Sequence, residues 1–122
     1  MNTNKKVLIA EDNSVFLLLL KFRLQKEGYT ILTATNGKEA IDLIEDQEPH
    51  IILTDIMMPF ISGLELISYV RNKLKRSTPI IVFSAAGQEE IVLKAFDLGA
   101  TDFMSKPLSP NELIIRVKKL LR

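Results

Sequence analysis

The sequence has no cysteine. That removes thiol catalysis, cysteine-built zinc sites and disulfide staples, and it agrees with a reducing compartment. Neither sign of charge dominates: 16 Lys plus Arg stand against 15 Asp plus Glu, a formal charge of +1. So even a balance gives no electrostatic footprint for nucleic acid. Long apolar runs are missing too. The longest, residues 15–20, is far too short to span a bilayer, and the polar N-terminus lacks the apolar region of a signal peptide. Both observations argue against secretion and membrane insertion and for a cytoplasmic location. What is present is the composition of an ordinary globular chain, 122 residues with 47% apolar and 25% charged side chains. One domain over residues 1–122 is expected, with a core that needs neither disulfide nor structural metal.

Short β-branched runs alternate with helical patterns from end to end. The runs fall at residues 7–10, 31–34, 51–54 and 80–83, with a weaker one at 102–104. The first, third and fourth are apolar throughout, as suits central strands of a parallel sheet covered on both faces. Between the runs, apolar residues recur at helical spacing, as in Leu64, Ile67, Val70 and Leu74, or Leu113, Ile114, Val117, Leu120 and Leu121. Ser62 with Glu65 and Ser109 with Glu112 have capping-box spacing, and Pro110 suits a first helical turn. Gly28 and Gly99 would close helices in the left-handed conformation. Five βα units with right-handed crossovers make a doubly wound α/β sheet.

In such sheets ligands bind beyond the carboxyl ends of the strands. Those ends carry Glu11 and Asp12, then Asp55, then Ser84, then Lys106 followed by Pro107. Three carboxylates converging on one small site repel one another, and a hard cation resolves the conflict. Magnesium suits one or two carboxylates, a backbone carbonyl and a phosphate oxygen. Any one of these acids alone reads as a solvated strand end or a helix cap. Their joint occurrence with a hydroxyl and a lysine at neighbouring strand ends is what points to chemistry.

The segments KVLIAEDNS, IILTDIMMPFISGLE, PIIVFSAA and ATDFMSKP resemble the four signature blocks of response-regulator receiver domains. The resemblance covers the whole chain. It implies a flavodoxin-like fold of strand order 2-1-3-4-5. It further implies that Asp55 is the phosphoacceptor, taking its phosphoryl group from a histidine kinase or a histidine phosphotransfer protein in a two-component or phosphorelay system. Glu11, Asp12 and Asp55 would hold Mg2+, and Met57 would add its backbone carbonyl. Lys106 would pair first with Asp55 and later with a phosphoryl oxygen. The Ser84 hydroxyl and the backbone amides after Asp55 and Ser84 would take the remaining oxygens. The Lys106–Pro107 bond would be cis. Ser84 and Phe103 would form the switch that carries phosphorylation to the face made by the fourth helix, fifth strand and fifth helix. Apart from its own phosphorylation and dephosphorylation the chain would catalyse nothing. It would be a monomer or a phosphorylation-dependent dimer.

Other features have plainer readings. His50, the only histidine, begins the acceptor strand opposite the site and is read as structural. Met57, Met58 and Met104 are read as packing side chains, and the basic residues Arg116, Lys118, Lys119 and Arg122 as the solvated face of the last helix. In the first helix, a core stripe at Phe16, Leu19, Leu20 and Leu24 leaves Val15, Leu18 and Phe22 as a second apolar stripe, with Leu17 also outside the core. That second stripe is read as a docking surface for the phosphohistidine-bearing partner.

Three alternatives compete. A flavin-binding flavodoxin relative would need a Ser/Thr-rich phosphate loop, where this chain has EDNS. An aspartyl-nucleophile phosphatase would need an acid two residues beyond Asp55, where Met57 stands. A receiver-like scaffold that is never phosphorylated is the third, and no missing side chain favours it.

Overall fold

The apolar runs become the strands of one parallel sheet. A computed structural model describes residues 5–122; the polar residues 1–4, on which the signal-peptide argument partly rests, lie outside the described residues. The strands are β1 (Lys6–Ala10), β2 (Thr30–Ala34), β3 (Ile51–Asp55), β4 (Ile80–Ser84) and β5 (Asp102–Ser105). They stand in the order β2-β1-β3-β4-β5, all parallel. The helices between them are α1 (Ser14–Lys26), α2 (Gly37–Gln47), α3 (Gly63–Ser68), α4 (Glu89–Leu98) and α5 (Pro110–Leu121). The flavodoxin-like architecture expected from the sequence is the one observed.

Because β3 and β4 are buried along their whole length, their side chains alternate between two cores. Ile51, Leu53, Ile81 and Phe83 pack with α1 and α5. Ile52, Ile80 and Val82 pack with α2, α3 and α4. Both strands run one residue further than the apolar pattern indicates, so Asp55 and Ser84 belong to the ladder itself. The Ile56 amide continues it by donating to the Phe83 carbonyl at 3.0 Å.

The helix starts follow the punctuation. Ser62 accepts from the Glu65 amide at 3.2 Å and the Glu65 carboxylate accepts from the Ser62 amide at 3.3 Å, a complete capping box. Ser109 accepts from the Glu112 amide, but the Glu112 side chain turns instead to Arg116 at 2.7 Å. That box is half formed, because an ion pair one turn along draws the carboxylate away. Gly28 and Gly99 take the expected left-handed conformation, at φ 94° and 115°.

Two expectations need correction. Leu64, Ile67, Val70 and Leu74 do not lie on one α-helix: α3 ends at Ser68 and a π-helical turn, Tyr69–Lys73, follows. The Leu74 amide there reaches back five residues to the Tyr69 carbonyl. Arg71 fixes this turn by donating to the Gly99 carbonyl at 3.0 Å and the Arg76 carbonyl at 2.9 Å. In α1 the core stripe is Leu17, Leu20 and Leu24, with Phe16 half-buried and Leu19 49% exposed. The helix is thus rotated by roughly 60° from the stripe assigned above, at about 100° per residue. An unbroken apolar run has no polar side to mark the orientation, and contact with Phe83 and Leu113 sets it instead.

Candidate functional site

Glu11 follows β1 directly, Asp55 ends β3, Ser84 ends β4 and Lys106 follows β5, so four strands deliver them to one edge of the sheet. The Lys106 ammonium joins two of them. It donates to the Asp55 carboxylate at 2.7 Å and to Glu11 at 3.0 Å, and it lies 5.4 Å from the centroid of the Phe16 ring, a cation–π distance. Phe16 in turn meets Phe83 edge-on, with centroids 6.2 Å apart. The peptide bond from Lys106 to Pro107 is cis.

The second Glu11 oxygen accepts from the Asn13 amide at 3.0 Å, while the Asn13 side chain caps α1 through the Phe16 amide. Glu11 is fully buried. Its burial raises the carboxyl above the ordinary value, against the Asn13 amide and Lys106, and the Asp55 charge adds to the rise. For Lys106 burial works against the charged form, and the hydrogen bonds it donates to Asp55 and Glu11 more than compensate, leaving it above the usual lysine value.

Oxygens of Glu11, Asp12 and Asp55 all lie within 4.8 Å of one another, with Asp12 exposed and the other two buried. Three carboxylates this close, with one lysine among them, form a hard oxygen donor set open on the Asp12 side. That chemistry fits a divalent cation of the magnesium or calcium class.

Gly63 packs against the backbone at the end of β3. Its amide donates to the Ile56 carbonyl at 3.0 Å, and a Cβ there would meet the Asp55 carbonyl at 2.6 Å. Only glycine lets the start of α3 approach the acceptor strand so closely. On the other flank a cleft of about 330 Å3 runs between Ser84 and Phe103, lined also by Ala85, Ala86 and Phe96. Phe103 is not a core aromatic. It is 37% exposed and stands edge-on to Phe96, with centroids 6.0 Å apart.

The amides expected to serve an anion have partners. Ile56 donates within the ladder, as described, and Met57 donates to the Asp55 carboxylate at 3.2 Å. The Ala85 amide donates to the Gln88 side chain at 2.6 Å. Gln88 did not stand out in the sequence, because its role depends on how the loop after β4 folds back, and Phe16 was read only as part of the α1 core stripe. The exposed Phe60, in the left-handed region at φ 69°, was equally silent. His50 accepts from the Lys6 amide at 3.0 Å through Nδ1, a structural bond at the end of the sheet opposite the site.

The receiver domain of response regulators matches residues 7–118. The chain therefore belongs to the response regulator receiver domain family of two-component signalling, whose general function is phosphorylation on an aspartate. It is 37% identical over 119 residues to the alkaline phosphatase synthesis transcriptional regulatory protein PhoP of Bacillus subtilis, covering 98% of this chain and 49% of that protein. The chain thus spans about half the length of this curated relative. Among solved structures, the receiver domain of Francisella response regulator 1452 is 35% identical with a TM-score of 0.88, covering 97% of each chain. The chemotaxis response regulator CheY4 of Vibrio cholerae is 28% identical with a TM-score of 0.89, covering 98% of this chain and 100% of that one. Receivers of this family interact with histidine kinases or phosphotransfer proteins and typically use a divalent metal. They are phosphoacceptors and not enzymes in the ordinary sense. Among the described residues, no helix is long and apolar enough to cross a membrane.

Proposed function

We propose that Asp55 is the phosphoacceptor of this receiver, served by Mg2+ at Glu11, Asp12, Asp55 and the Met57 carbonyl, with a phosphohistidine as donor. An Asp55 carboxylate oxygen attacks phosphorus, the phosphorus–nitrogen bond to the donor imidazole breaks, and the electron pair leaves with the imidazole. The observation that carries this reading is the Lys106 ammonium between Asp55 and Glu11. It holds the nucleophile in place beforehand and is within reach of a phosphoryl oxygen afterwards. Magnesium, when bound, neutralises phosphoryl charge. The nearly complete burial of Asp55 keeps bulk water from competing with these interactions.

The cleft supports a switch at Ser84 and Phe103. A dianion at Asp55 draws the Ser84 hydroxyl inward, and Phe103 turns from its exposed position into the space beside Ser84. The donor docks on α1, where Val15, Leu18 and Phe22 are 78%, 49% and 59% exposed. Helix-in-groove contacts with a helical bundle suit such a stripe.

Incubation with acetyl phosphate and magnesium, followed by intact-mass measurement, tests the assignment. One added phosphoryl group, lost on Asp55→Ala, is the expected result. Labelling that survives Asp55→Ala would overturn it.

A further inference from the structure

The structure assigns Gln88 a role beyond the residues discussed so far: we infer that its side chain is a gate on the phosphoryl site, occupying the Ala85 amide until an anion displaces it. The inference rests on the reading of Asp55 as phosphoacceptor.

Ala85 is the first residue beyond β4, and its amide leaves the ladder at the edge where Asp55 sits, since Asp55 and Phe83 are register partners. It lines the cleft together with Ser84 and Phe103. A backbone N–H beside an acidic, cation-binding site is a natural donor for a phosphoryl oxygen. Here it is taken. The Gln88 side-chain oxygen accepts from it at 2.6 Å, putting a neutral oxygen on a donor suited to an anionic one.

The position of Gln88 makes this bond unusual. It is the N-cap residue of α4, yet its side chain makes no hydrogen bond to the first turn of that helix. Capping side chains ordinarily satisfy those first amides. Gln88 turns away from the helix and bonds three residues back. Gly87, at φ 86° and with open space where a Cβ would stand, permits the reversal.

Displacement of Gln88 would also free its end of α4. The opposite end stays clasped, because Arg71 donates to the Gly99 carbonyl and packs on Gly99, where a Cβ would meet Arg71 at 2.9 Å. The gate thus links occupancy of the Ala85 amide to the N-terminal end of α4. Gln88 is a positioning residue: it acts through the amide it covers.

The probe is beryllofluoride with magnesium, which mimics the acyl phosphate, measured alongside magnesium affinity alone. Gln88→Ala removes the competitor and should tighten beryllofluoride binding about fivefold, the worth of one hydrogen bond, with magnesium affinity unchanged. Gln88→Glu keeps an acceptor on the amide and adds charge beside the anion, so it should weaken binding below the wild-type value. A side chain that merely stabilises the loop would not give opposite changes. Amide exchange at Ala85 should be protected in the wild type and fast in Gln88→Ala. Equal beryllofluoride affinity in wild type and Gln88→Ala, or an equally fast Ala85 amide in both, overturns the gate. A wild-type protein that binds no beryllofluoride with magnesium present overturns the Asp55 reading as well, which separates the two failures.

Discussion

Replacing Asp12 by alanine should make the metal-free protein more stable and leave it unresponsive to magnesium. The three carboxylates lie within 4.8 Å of one another, and because Asp12 is exposed its repulsion from the others is screened nearly as in water. At that separation each of the two pairs involving Asp12 costs roughly 1 kcal/mol. Lys106 lies 2.7 Å from Asp55 and 3.0 Å from Glu11, so its attraction for Asp12 returns part of that cost. The net gain on removing Asp12 is about 1 kcal/mol, or roughly 3–5 °C in melting midpoint for a domain of this size. In the wild type, a ligand that binds only the folded state adds about 2.7 kcal/mol at a hundredfold excess over its Kd. Magnesium should therefore raise the wild-type midpoint by roughly 10 °C and leave the variant flat. The two proteins exchange order along the titration. Thermal melts by circular dichroism, in EDTA and then across a magnesium series, read both effects. A variant that melts below wild type in EDTA, or that still gains stability with magnesium, would refute the account of the acidic cluster as a charge-strained metal site.

The side chains two residues beyond Asp55 and Ser84 are Met57 and Ala86, both exposed and unable to orient a water. The phosphorylated state should be long-lived, and Met57→Asn with Ala86→Glu should hasten its decay on the order of tenfold; an unchanged decay rate counts against the explanation. Burial raises the Tyr29 hydroxyl and the Glu45 hydrogen bond raises that of Tyr69. Both stay protonated in the folded chain where the unfolded chain has begun to ionise, so their contribution to stability is full below about pH 10 and declines as pH rises through the folded values. Ultraviolet titration should place native phenolate formation above that of the unfolded protein, and coincident curves would contradict the cause assigned. Phe60 is 84% exposed at φ 69°, so Phe60→Gly loses little burial, relieves a left-handed side chain and should stabilise the fold by up to about 1 kcal/mol in chemical denaturation. Destabilisation would mean that Phe60 makes contacts its exposure does not suggest. Leu18→Asp should slow transfer from a phosphohistidine donor relative to labelling by acetyl phosphate, and equal slowing of both would point to damage at the site and not at the docking surface.

How much could be read in advance depended on whether a residue's role is fixed by its own strand or by a distant partner. That Glu11, Asp12, Asp55, Ser84 and Lys106 lie together was legible because a parallel sheet sends every strand end to one edge, so finding the strands fixed their common position. The capping box at Ser62 and the glycine ends at 28 and 99 were legible for the same local reason. The rotation of α1 was not, since its apolar run is continuous and packing across the sheet chooses the buried stripe. Leu19 and Leu17 changed places on that account, while Val15, Leu18 and Phe22 kept the exposure expected of them. The π-helical turn was hidden as well. Val70 and Leu74 fit an α-helical pattern, and only the Arg71 clasp on Gly99 and Arg76 distinguishes the wider turn.

The same division separates what is rigid at the site from what can respond. Asp55 and Ser84 are ladder residues flanked by buried apolar strands, so moving the backbone of either would break sheet hydrogen bonds and repack two cores at once, and the Ser84 hydroxyl can respond only by rotating about its own side-chain bond. Lys106 is held as firmly, since its amide donates to the Ser84 carbonyl at 2.7 Å while its ammonium bridges Asp55 and Glu11. The Ala85 amide and the Phe103 ring lie outside these constraints, one held by a single side-chain bond and the other resting on the surface against Phe96. A new charge at Asp55 would find a fixed strand end and Lys106 on one side and two adjustable groups on the other. A signal can leave such a site only through the groups that cost little to move, and those border the cleft between Ser84 and α4.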